Sequence, residues 1–317
     1  MYIKATTIDD LLHAVLSKLL KSKDRVVATK GSTTEITGVL LELKNPRARI
    51  SRTQTKGTIF SCLGELLWYL AGANDLEFIR HYISDYGKYS DDGRTLYGAY
   101  GPRLFGTKGK RHNQIANVTN LLKKKPTSRK AVIQIFSARD ITGPTEDVPC
   151  TCTLQFFVRR RRLHLVVHMR SNDAFLGMPH DIFSFTMLQE IIARSLGVGV
   201  GRYIHAVGSL HLYLKNRKSA KEYLRAGWQP TNIAMPAMPA KNPWPAIRRL
   251  LTIERKLRKG EVVEIRGLQP YWADLARLLS VFAQFKKRDA DGIARVRKQM
   301  SARVYDRYVE DKRQSIK

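Results

Sequence analysis

The chain has 317 residues, of which 43% are hydrophobic and 26% are charged, an ordinary composition for a globular protein. No run approaches the roughly 18 consecutive apolar residues of a membrane span, and the first residues lack the features of a secretory signal. Three cysteines without a CxxC pair exclude a disulfide framework and a cysteine-rich zinc site. We therefore expect a cytoplasmic protein with no bound metal and no membrane partner.

The charge is unusually basic. Lys and Arg number 56 against 27 Asp and Glu, so the formal net charge is 56 − 27 = +29, with a pI near 10.3. Such a balance favours polyanions or phosphorylated small molecules as partners, without choosing between them.

Hydrophobic periodicity predicts the elements of the N-terminal third. An amphipathic helix is expected over 7–21, a strand over 34–43 and a mostly buried helix over 59–71 that ends near Gly72. Residues 84–110 are rich in Gly, Asp and Tyr and are predicted to form a long functional loop.

The middle of the chain alternates predicted strands and helices, which indicates an α+β fold. They are a strand over 131–137, a hairpin of strands 151–159 and 163–170 around the basic turn Arg159–Arg162, a helix from Pro179 to Leu196, a strand over 202–213 and a helix over 215–226.

Four prolines in 229–244 predict a linker that separates a catalytic domain from a basic helical extension. The predicted division is 1–228 for the catalytic domain, 229–244 for the linker and 245–317 for the extension, with helical periodicity over 245–258, 270–287 and 289–315.

Chemistry-bearing residues concentrate between Val148 and Tyr213. A cysteine follows a proline at 149–150, an Arg-Ser-Asn-Asp cluster ends a predicted strand at 170–173, and a His-x-Tyr pair stands at 211–213. These types supply a nucleophile, an anion clamp, carboxylates and hydroxyl-binding groups, and strand ends are where such groups converge.

On these residues the chain resembles the thymidylate synthase superfamily over about residues 5–225. The motifs, in order, are ELLWYL at 65–70, TSRK at 127–130, PC at 149–150, RSND at 170–173, FLG-P at 175–179 and GSLHLY at 208–213. The resemblance implies a mixed sheet with surrounding helices and a folate-dependent one-carbon transferase of nucleotide biosynthesis.

The resemblance identifies Cys150 as the nucleophile that attacks C6 of a pyrimidine nucleotide. C5 then takes a one-carbon unit from the co-substrate 5,10-methylene-tetrahydrofolate. Attack needs a thiolate, and Arg170 is expected to raise the thiolate fraction. Without the motifs, a buried structural cysteine is the ordinary interpretation, and it is kept for Cys62 and Cys152.

Phosphate binding needs several cationic or hydroxyl donors. By resemblance, Arg170 and Ser171 bind phosphate within one subunit, and Arg129 and Lys130 reach the neighbouring site of a homodimer. Lys130 stands where arginine is usual and loses the planar fork of a guanidinium. Lys30, in the early loop, is interpreted as a solvated lysine.

Further roles follow from the same resemblance. Glu65 matches the glutamate that organises proton transfer, and Tyr97 matches a tyrosine that holds water near C5, with Tyr100 as the alternative. His211 and Tyr213 match the pair that binds the sugar hydroxyl, and their spacing places both on one strand face.

By resemblance, Asp181 is the residue that recognises the base through hydrogen bonds. Thymidylate synthases carry asparagine there, whose amide matches O4 and N3–H of uracil. An aspartate meets the reversed edge of cytosine if a proton is shared with N3, whereas an ionised one presents two acceptors to uracil. The chain therefore looks closest to the cytidylate hydroxymethylases, with dCMP preferred to CMP because Ser171 fits the deoxynucleotide pattern. The plain alternative is a carboxylate that favours a helix N-terminus beside Pro179.

Folate contacts and the fate of the one-carbon unit are also implied by resemblance. Asp173 and Gly177 match folate-contacting positions. Ser84 stands near the place of a shielding tryptophan, and the chain ends RQSIK instead of a closing tail, so capture by water is expected.

Two alternatives stay open. One is a thymidylate synthase that methylates dUMP to dTMP. The other is a nucleic-acid-binding protein with a synthase-like fold, supported by the net charge, Arg159–Arg162, Lys123–Lys125 and the basic extension.

Overall fold

A single mixed sheet carries the candidate site. The computed structural model describes residues 1–28, 30–53, 58–106, 113–145, 147–230 and 233–316. The strands are β1 (Tyr2–Ala5), β2 (Arg25–Ala28), β3 (Gly31–Leu43), β4 (Val132–Gln134), β5 (Thr151–Arg159), β6 (Arg162–Asp173) and β7 (Gly199–Tyr213). Their order is β1-β3-β7-β6-β5-β4, with β2 paired to β3; β1–β3 and β6–β7 are parallel and the other pairs antiparallel.

The helices surround this sheet and confirm the α+β class. They are α1 (Ile8–Lys21), α2 (Ile59–Leu70), α3 (Leu76–Tyr82), α4 (Tyr100–Phe105), α5 (Gln114–Lys124), α6 (Gly177–Ser195), α7 (Arg217–Arg225), α8 (Trp244–Arg258), α9 (Pro270–Lys286), α10 (Ala290–Lys298) and α11 (Asp306–Gln314). Among the described helices, none combines the length and apolar character that a bilayer crossing requires.

Local chemistry explains where several elements begin and turn. Thr7 and Asp10 form a reciprocal capping box that starts α1. The turn between β5 and β6 holds Arg160 and Arg161 at φ 49° and 55°. Two-residue hairpin turns with both central residues at positive φ match the twist of the strands, so the predicted basic turn is confirmed as a tight hairpin.

The sheet has one core face and one open face. Leu154, Leu165 and Val167 are fully buried on the core face, against which α6 packs. The alternate residues Val166 and Ile204, which pair with each other across β6 and β7, are only half-buried. The period of two in strands produces this division.

Two predicted elements differ in the structure. Residues 84–110 are not one loop, because a 3₁₀ helix (Ser84–Tyr89) and α4 form within them; 107–110 lie outside the described residues. The helix expected over 289–315 is interrupted between α10 and α11. The carboxylate of Asp274 accepts the backbone N–H groups of Ser301 and Ala302 at 2.9 Å each, which fixes a non-helical connection there.

The proline-rich segment forms no helix or strand before α8 where it is described, and it packs against the fold; residues 231–232 lie outside the described part. Met235 and Met238 are each 1% exposed. The N–H of Met238 donates to the buried carboxylate of Glu190 at 2.9 Å, and the N–H of Met235 donates to the Arg47 carbonyl at 2.9 Å. The division at 228 and 244 stays a prediction from the sequence.

The C-terminal helices share the hydrophobic core. Phe282 of α9 stacks on Phe60 and Tyr82, with ring centroids 6.3 and 5.1 Å away. The Tyr82 hydroxyl donates to Glu254 of α8 at 3.0 Å, and the Tyr308 hydroxyl of α11 donates to the Ser51 carbonyl at 2.6 Å. The extension therefore buries apolar surface of α2 and α3.

We expect Phe282→Ala to lower the free energy of unfolding by about 3–5 kcal/mol, because it removes a buried ring and leaves a cavity. Denaturant titration followed by circular dichroism measures this loss. Val262→Ala is the control, since Val262 is 95% exposed and should change stability by less than about 0.5 kcal/mol. Equal stability of both variants would contradict a shared core.

Candidate active site

A cavity of about 1080 Å³ opens between α2 and the start of α6. The residues just before β5 and the last residues of β6 and β7 also line it. Ligand pockets have roughly 300–1,000 Å³, so this cavity lies at the large end of that range. Nine residues predicted from the sequence line it: Glu65, Cys150, Arg170, Ser171, Asp173, Gly177, Asp181, His211 and Tyr213.

Cys150 stands immediately before β5, and Arg170 on β6 holds its backbone. The N–H of Arg170 donates to the Cys150 carbonyl at 2.8 Å, and its guanidinium donates to the carbonyls of Val148 and Pro149 at 2.8 and 2.9 Å. Burial raises the pKa of the thiol; Arg170 lowers it and Asp181 raises it. Arg170 acts in the expected direction, because its charge favours the thiolate, but burial is the larger effect and the pKa of Cys150 stays above its usual value.

Asp181, in the first turn of α6, is a neutral acid at pH 7. Burial, and next the charge of Glu65, raise the pKa of Asp181 to about 8. The Asn172 amide nitrogen donates to Asp181 Oδ2 at 2.7 Å. The carboxyl can therefore both donate and accept hydrogen bonds at neutral pH.

A buried chain of hydrogen bonds fixes the direction of the Asn172 amide. Burial lowers the pKa of His205 to about 3, so its ring is neutral and carries one donor and one acceptor. His205 Nε2 lies 2.9 Å from Asn172 Oδ1, and His205 Nδ1 lies 2.8 Å from the Tyr203 hydroxyl. With the Tyr203 hydroxyl donating to Nδ1, Nε2–H donates to Asn172 Oδ1, which leaves the Asn172 NH₂ group for Asp181.

Glu65 on α2 is buried among polar partners. Its Oε2 lies 2.7 Å from His180 Nδ1, and its Oε1 accepts from the Tyr86 hydroxyl. Burial alone would raise the pKa of Glu65, but the charge of His180 and hydrogen bonds from His180, Tyr86 and Tyr69 together lower it. Glu65 is therefore ionised beside the neutral Asp181.

Cationic and hydroxyl groups line the sugar and phosphate end predicted from the sequence. His211 and Tyr213 share one face of β7, with ring centroids 5.1 Å apart. Lys30 also lines the cavity, with its Nζ 3.9 Å from the centre of the Tyr89 ring. Lys30 is exposed, as expected for a solvated lysine, and it also borders the cavity.

Tyr97 does not occupy the place predicted for it. It is 46% exposed, lies outside the cavity lining, and its hydroxyl donates to Asp140 at 2.9 Å. Tyr100 lines the cavity instead, and its hydroxyl accepts from the N–H and hydroxyl of Thr151 at 3.2 and 3.0 Å. Since α4 begins at Tyr100, the two tyrosines project differently, and the alternative assignment fits the geometry.

Asp173 and Gly177 lie at the entry to α6. Asp173 Oδ1 accepts the backbone N–H groups of Phe175 and Leu176 at 2.8 and 3.1 Å. A Cβ atom added to Gly177 would stand 3.3 Å from the Asn172 amide nitrogen, tighter than an ordinary contact. A side chain at position 177 would therefore press on Asn172, and the roles of Asp173 and Gly177 toward a folate stay predictions.

Arg129 and Lys130 are not brought into the cavity of their own chain. Both are exposed just before β4, and the Arg129 carbonyl accepts from the Gln155 side chain at 3.0 Å. Over the described ranges, no cluster of three or more His, Cys, Asp and Glu side chains suits a metal ion.

A sequence model of the family described as thymidylate synthase matches residues 7–243, about three quarters of the chain. The chain belongs to the thymidylate synthase family. A curated relative, the deoxyuridylate hydroxymethyltransferase of Bacillus phage SP01, is 35% identical over 213 residues, which are 63% of this chain and 55% of that protein. The chain thus matches only about half the length of this relative.

Sequence reasoning missed the groups that support the reacting residues. From the sequence, His180 was interpreted mainly as the occupant of a usually aromatic position, with help in protonation as the alternative, and the hydrogen bonds that join Tyr203, His205 and Asn172 were not predicted. A signal existed for part of this set, since Tyr203 and His205 alternate onto the core face of β7. No local pattern indicates the pairing of Glu65 with His180, which are 115 residues apart.

Proposed function

We propose that this protein transfers a one-carbon unit from 5,10-methylene-tetrahydrofolate to C5 of a pyrimidine nucleoside monophosphate, and that its preferred product is 5-hydroxymethyl-dCMP. The observation that carries this proposal is the buried, neutral Asp181 in the same cavity as Cys150. In this reaction the deprotonated sulfur of Cys150 bonds to C6, and C5 becomes nucleophilic and bonds to the one-carbon unit. C5 then loses its proton as tetrahydrofolate leaves, and water adds to the resulting methylene group while the thiolate leaves C6 and the ring double bond returns.

The base is proposed to meet Asp181 through both carboxyl oxygens. Asn172 donates to Oδ2, and we place N3 of the base beside that oxygen and the C4 substituent beside Oδ1. With cytosine, a proton is shared between Oδ2 and N3 while Oδ1 accepts from the 4-amino group. Every donor then faces an acceptor, which a desolvated site requires.

A second candidate substrate is dUMP. A neutral carboxyl at pH 7 can donate from Oδ1 to O4 of uracil and accept N3–H at Oδ2, so repulsion of uracil by two acceptors applies only above about pH 8. The phage relative, whose name specifies deoxyuridylate, favours this candidate. Both substrates share the same first step at Cys150.

The folate is proposed to lie against the wider part of the cavity. Asp173 and Gly177 border it on one side, and Tyr86 and Tyr89 of the 3₁₀ helix border it on the other. Ser84 lines the cavity near the position where thymidylate synthases have a tryptophan that shields the intermediate. The small side chain at this position supports capture of the one-carbon unit by water. Hydride capture would instead give a methyl product.

A homodimer is proposed to complete the phosphate site. The half-buried open face of the sheet includes Val166 and Ile204, and Arg129 is anchored to Gln155 at its border. A twofold pairing of these faces would bring Arg129 and Lys130 to the neighbouring cavity.

Mixing inactive chains tests this dimer. We expect Cys150→Ala chains and chains with Arg129→Ala and Lys130→Ala to be nearly inactive alone. After mixing and refolding, half of the dimers are hybrids with one complete site, so about a quarter of wild-type activity should return. No recovery, or full activity of a dilute monomer in sedimentation experiments, would contradict the shared site.

Product mass spectrometry tests the activity. The full chain is incubated with methylene-tetrahydrofolate and separately with dCMP, CMP and dUMP. We expect a hydroxymethyl product, formed fastest from dCMP. Preference for dUMP supports the second candidate, a methyl product contradicts water capture, and no product from any nucleotide contradicts the proposed reaction.

A further inference from the structure

His180 forms a contact that the proposed reaction steps do not yet use. It lies in the first turn of α6, and its Nδ1 is 2.7 Å from Glu65 Oε2 on α2. The side chains of His180 and Glu65 are 16% and 5% exposed, and both line the cavity. Water screens such a contact poorly, so the charge state of one partner controls that of the other.

The second ring nitrogen of His180 also faces an acceptor. His180 Nε2 lies 3.3 Å from Ser61 Oγ. The Ser61 hydroxyl donates its own hydrogen to the Thr58 carbonyl at 2.9 Å, so Ser61 presents a lone pair to the ring. A ring that donates from both nitrogens, the imidazolium, fits the carboxylate at Nδ1 and the lone pair at Nε2 together.

The groups around Glu65 show why this cation matters. From α6 come His180 and Asp181, from the 3₁₀ helix comes Tyr86, and from α2 itself come Tyr69 and Cys62. Among these groups, His180 is the one that supplies positive charge. Burial would lower the pKa of His180, but the Cys62 sulfur and the Glu65 carboxylate raise it well above its usual value.

We propose that His180 is a positioning residue that keeps Glu65 ionised and directed into the cavity at neutral pH. The role of Glu65 in proton transfer rests on the proposed function, whereas the ion pair itself does not. The charge of an ionised Glu65 adds to burial in raising the pKa of Asp181, whereas His180 itself lowers it, so the two neighbouring carboxyl groups differ in ionisation. Such a separation gives neighbouring acids distinct acid and base roles.

Nuclear magnetic resonance of the substrate-free protein tests the ion pair directly. In protein with ¹⁵N-labelled histidine, we expect one ring with both nitrogens protonated up to at least pH 8. The signal should disappear in His180→Gln and titrate at lower pH in Glu65→Gln. His13→Gln, a buried histidine of α1 outside the cavity, should leave it unchanged. A neutral His180 ring at pH 7 would overturn the proposal, whether or not any nucleotide is turned over.

The pH dependence of turnover separates positioning from a merely structural role. His180→Gln keeps a hydrogen-bond donor but removes the charge, so burial raises the pKa of Glu65. Glu65 then ionises only at higher pH. The acidic limb of the kcat–pH profile should therefore move to higher pH by about one pH unit. We expect roughly tenfold less activity at pH 6, near-recovery at pH 8 and less than threefold change in the nucleotide KM. Equal loss at every pH would overturn the proposal.

Discussion

Replacing Cys150 with alanine is expected to lower turnover by about 10⁴-fold or more, while nucleotide binding changes little. The sulfur is the group proposed to bond to C6, and removal of a covalent nucleophile costs several orders of magnitude. Arg170 contacts the carbonyls of Val148 and Pro149 and not the thiol, so the phosphate end should keep its shape. Product formation and calorimetric binding of the nucleotide measure the two effects.

Cys152→Ala is the matched control for this change. Cys152 lies two residues further along β5, is half-buried and does not line the cavity. Its backbone carbonyl, which accepts from Ile135 and Phe136, survives the substitution. We expect at least half of the wild-type turnover. Retained turnover in Cys150→Ala would contradict covalent catalysis, and equal loss in both variants would indicate damage to β5 instead.

Replacing Asp181 with asparagine is expected to move the preference from dCMP to dUMP by about 10³–10⁴-fold in the ratio of kcat/KM. The NH₂ group of Asn172, fixed by His205 and Tyr203, would hold the oxygen of the new amide. The NH₂ group of the amide at position 181 would then face the C4 substituent of the base. It pairs with O4 of uracil, but against cytosine it meets another donor, the 4-amino group. Buried unpaired donors produce discrimination of this size.

A pH series provides the second readout for Asp181. Binding of either base to the wild type needs the carboxyl proton, and the pKa of Asp181 is raised to about 8. The wild-type KM should therefore be constant below pH 8 and rise roughly tenfold per unit above it. The asparagine variant, which does not titrate, should show no such rise with dUMP.

Asn172→Ala combined with Asp181→Asn is the control for the amide direction. Without the donor at Asn172, the amide group introduced at position 181 can rotate by about 180°. It can then present either its oxygen or its NH₂ group to the C4 substituent and match either base. We expect its base preference to fall below about tenfold. An unchanged dCMP preference in the Asp181→Asn single variant would contradict edge recognition by this residue.

Much of the fold could be predicted because the relevant information is local. The period of two over 151–170 predicted the β5–β6 hairpin, and the helical period predicted α1 and α2 to within two residues. The ordered motifs predicted which side chains converge, since nine of these residues line one cavity. They did not predict ionisation, because the pKa of Cys150 depends on burial that no motif reports.

The choice between Tyr97 and Tyr100 could not be made from the local sequence motif alone. Both stand in one short motif, but only the start of α4 and the contact with Thr151 distinguish them. The proline-rich segment shows a second limit of local information. Proline content predicts a break in regular structure, yet it does not report that Met235 and Met238 are buried by distant parts of the chain.

The sequence by itself determined most element types and the set of polar residues that line the cavity, because periodicity and motif spacing are properties of neighbouring residues. Only the tertiary structure decided which of these groups are charged. Glu65 is ionised because α6 places His180 against it, and Asp181 is neutral because burial and Glu65 surround it. Ionisation follows from desolvation and from distances between residues far apart in the chain, and those quantities exist only in the folded protein.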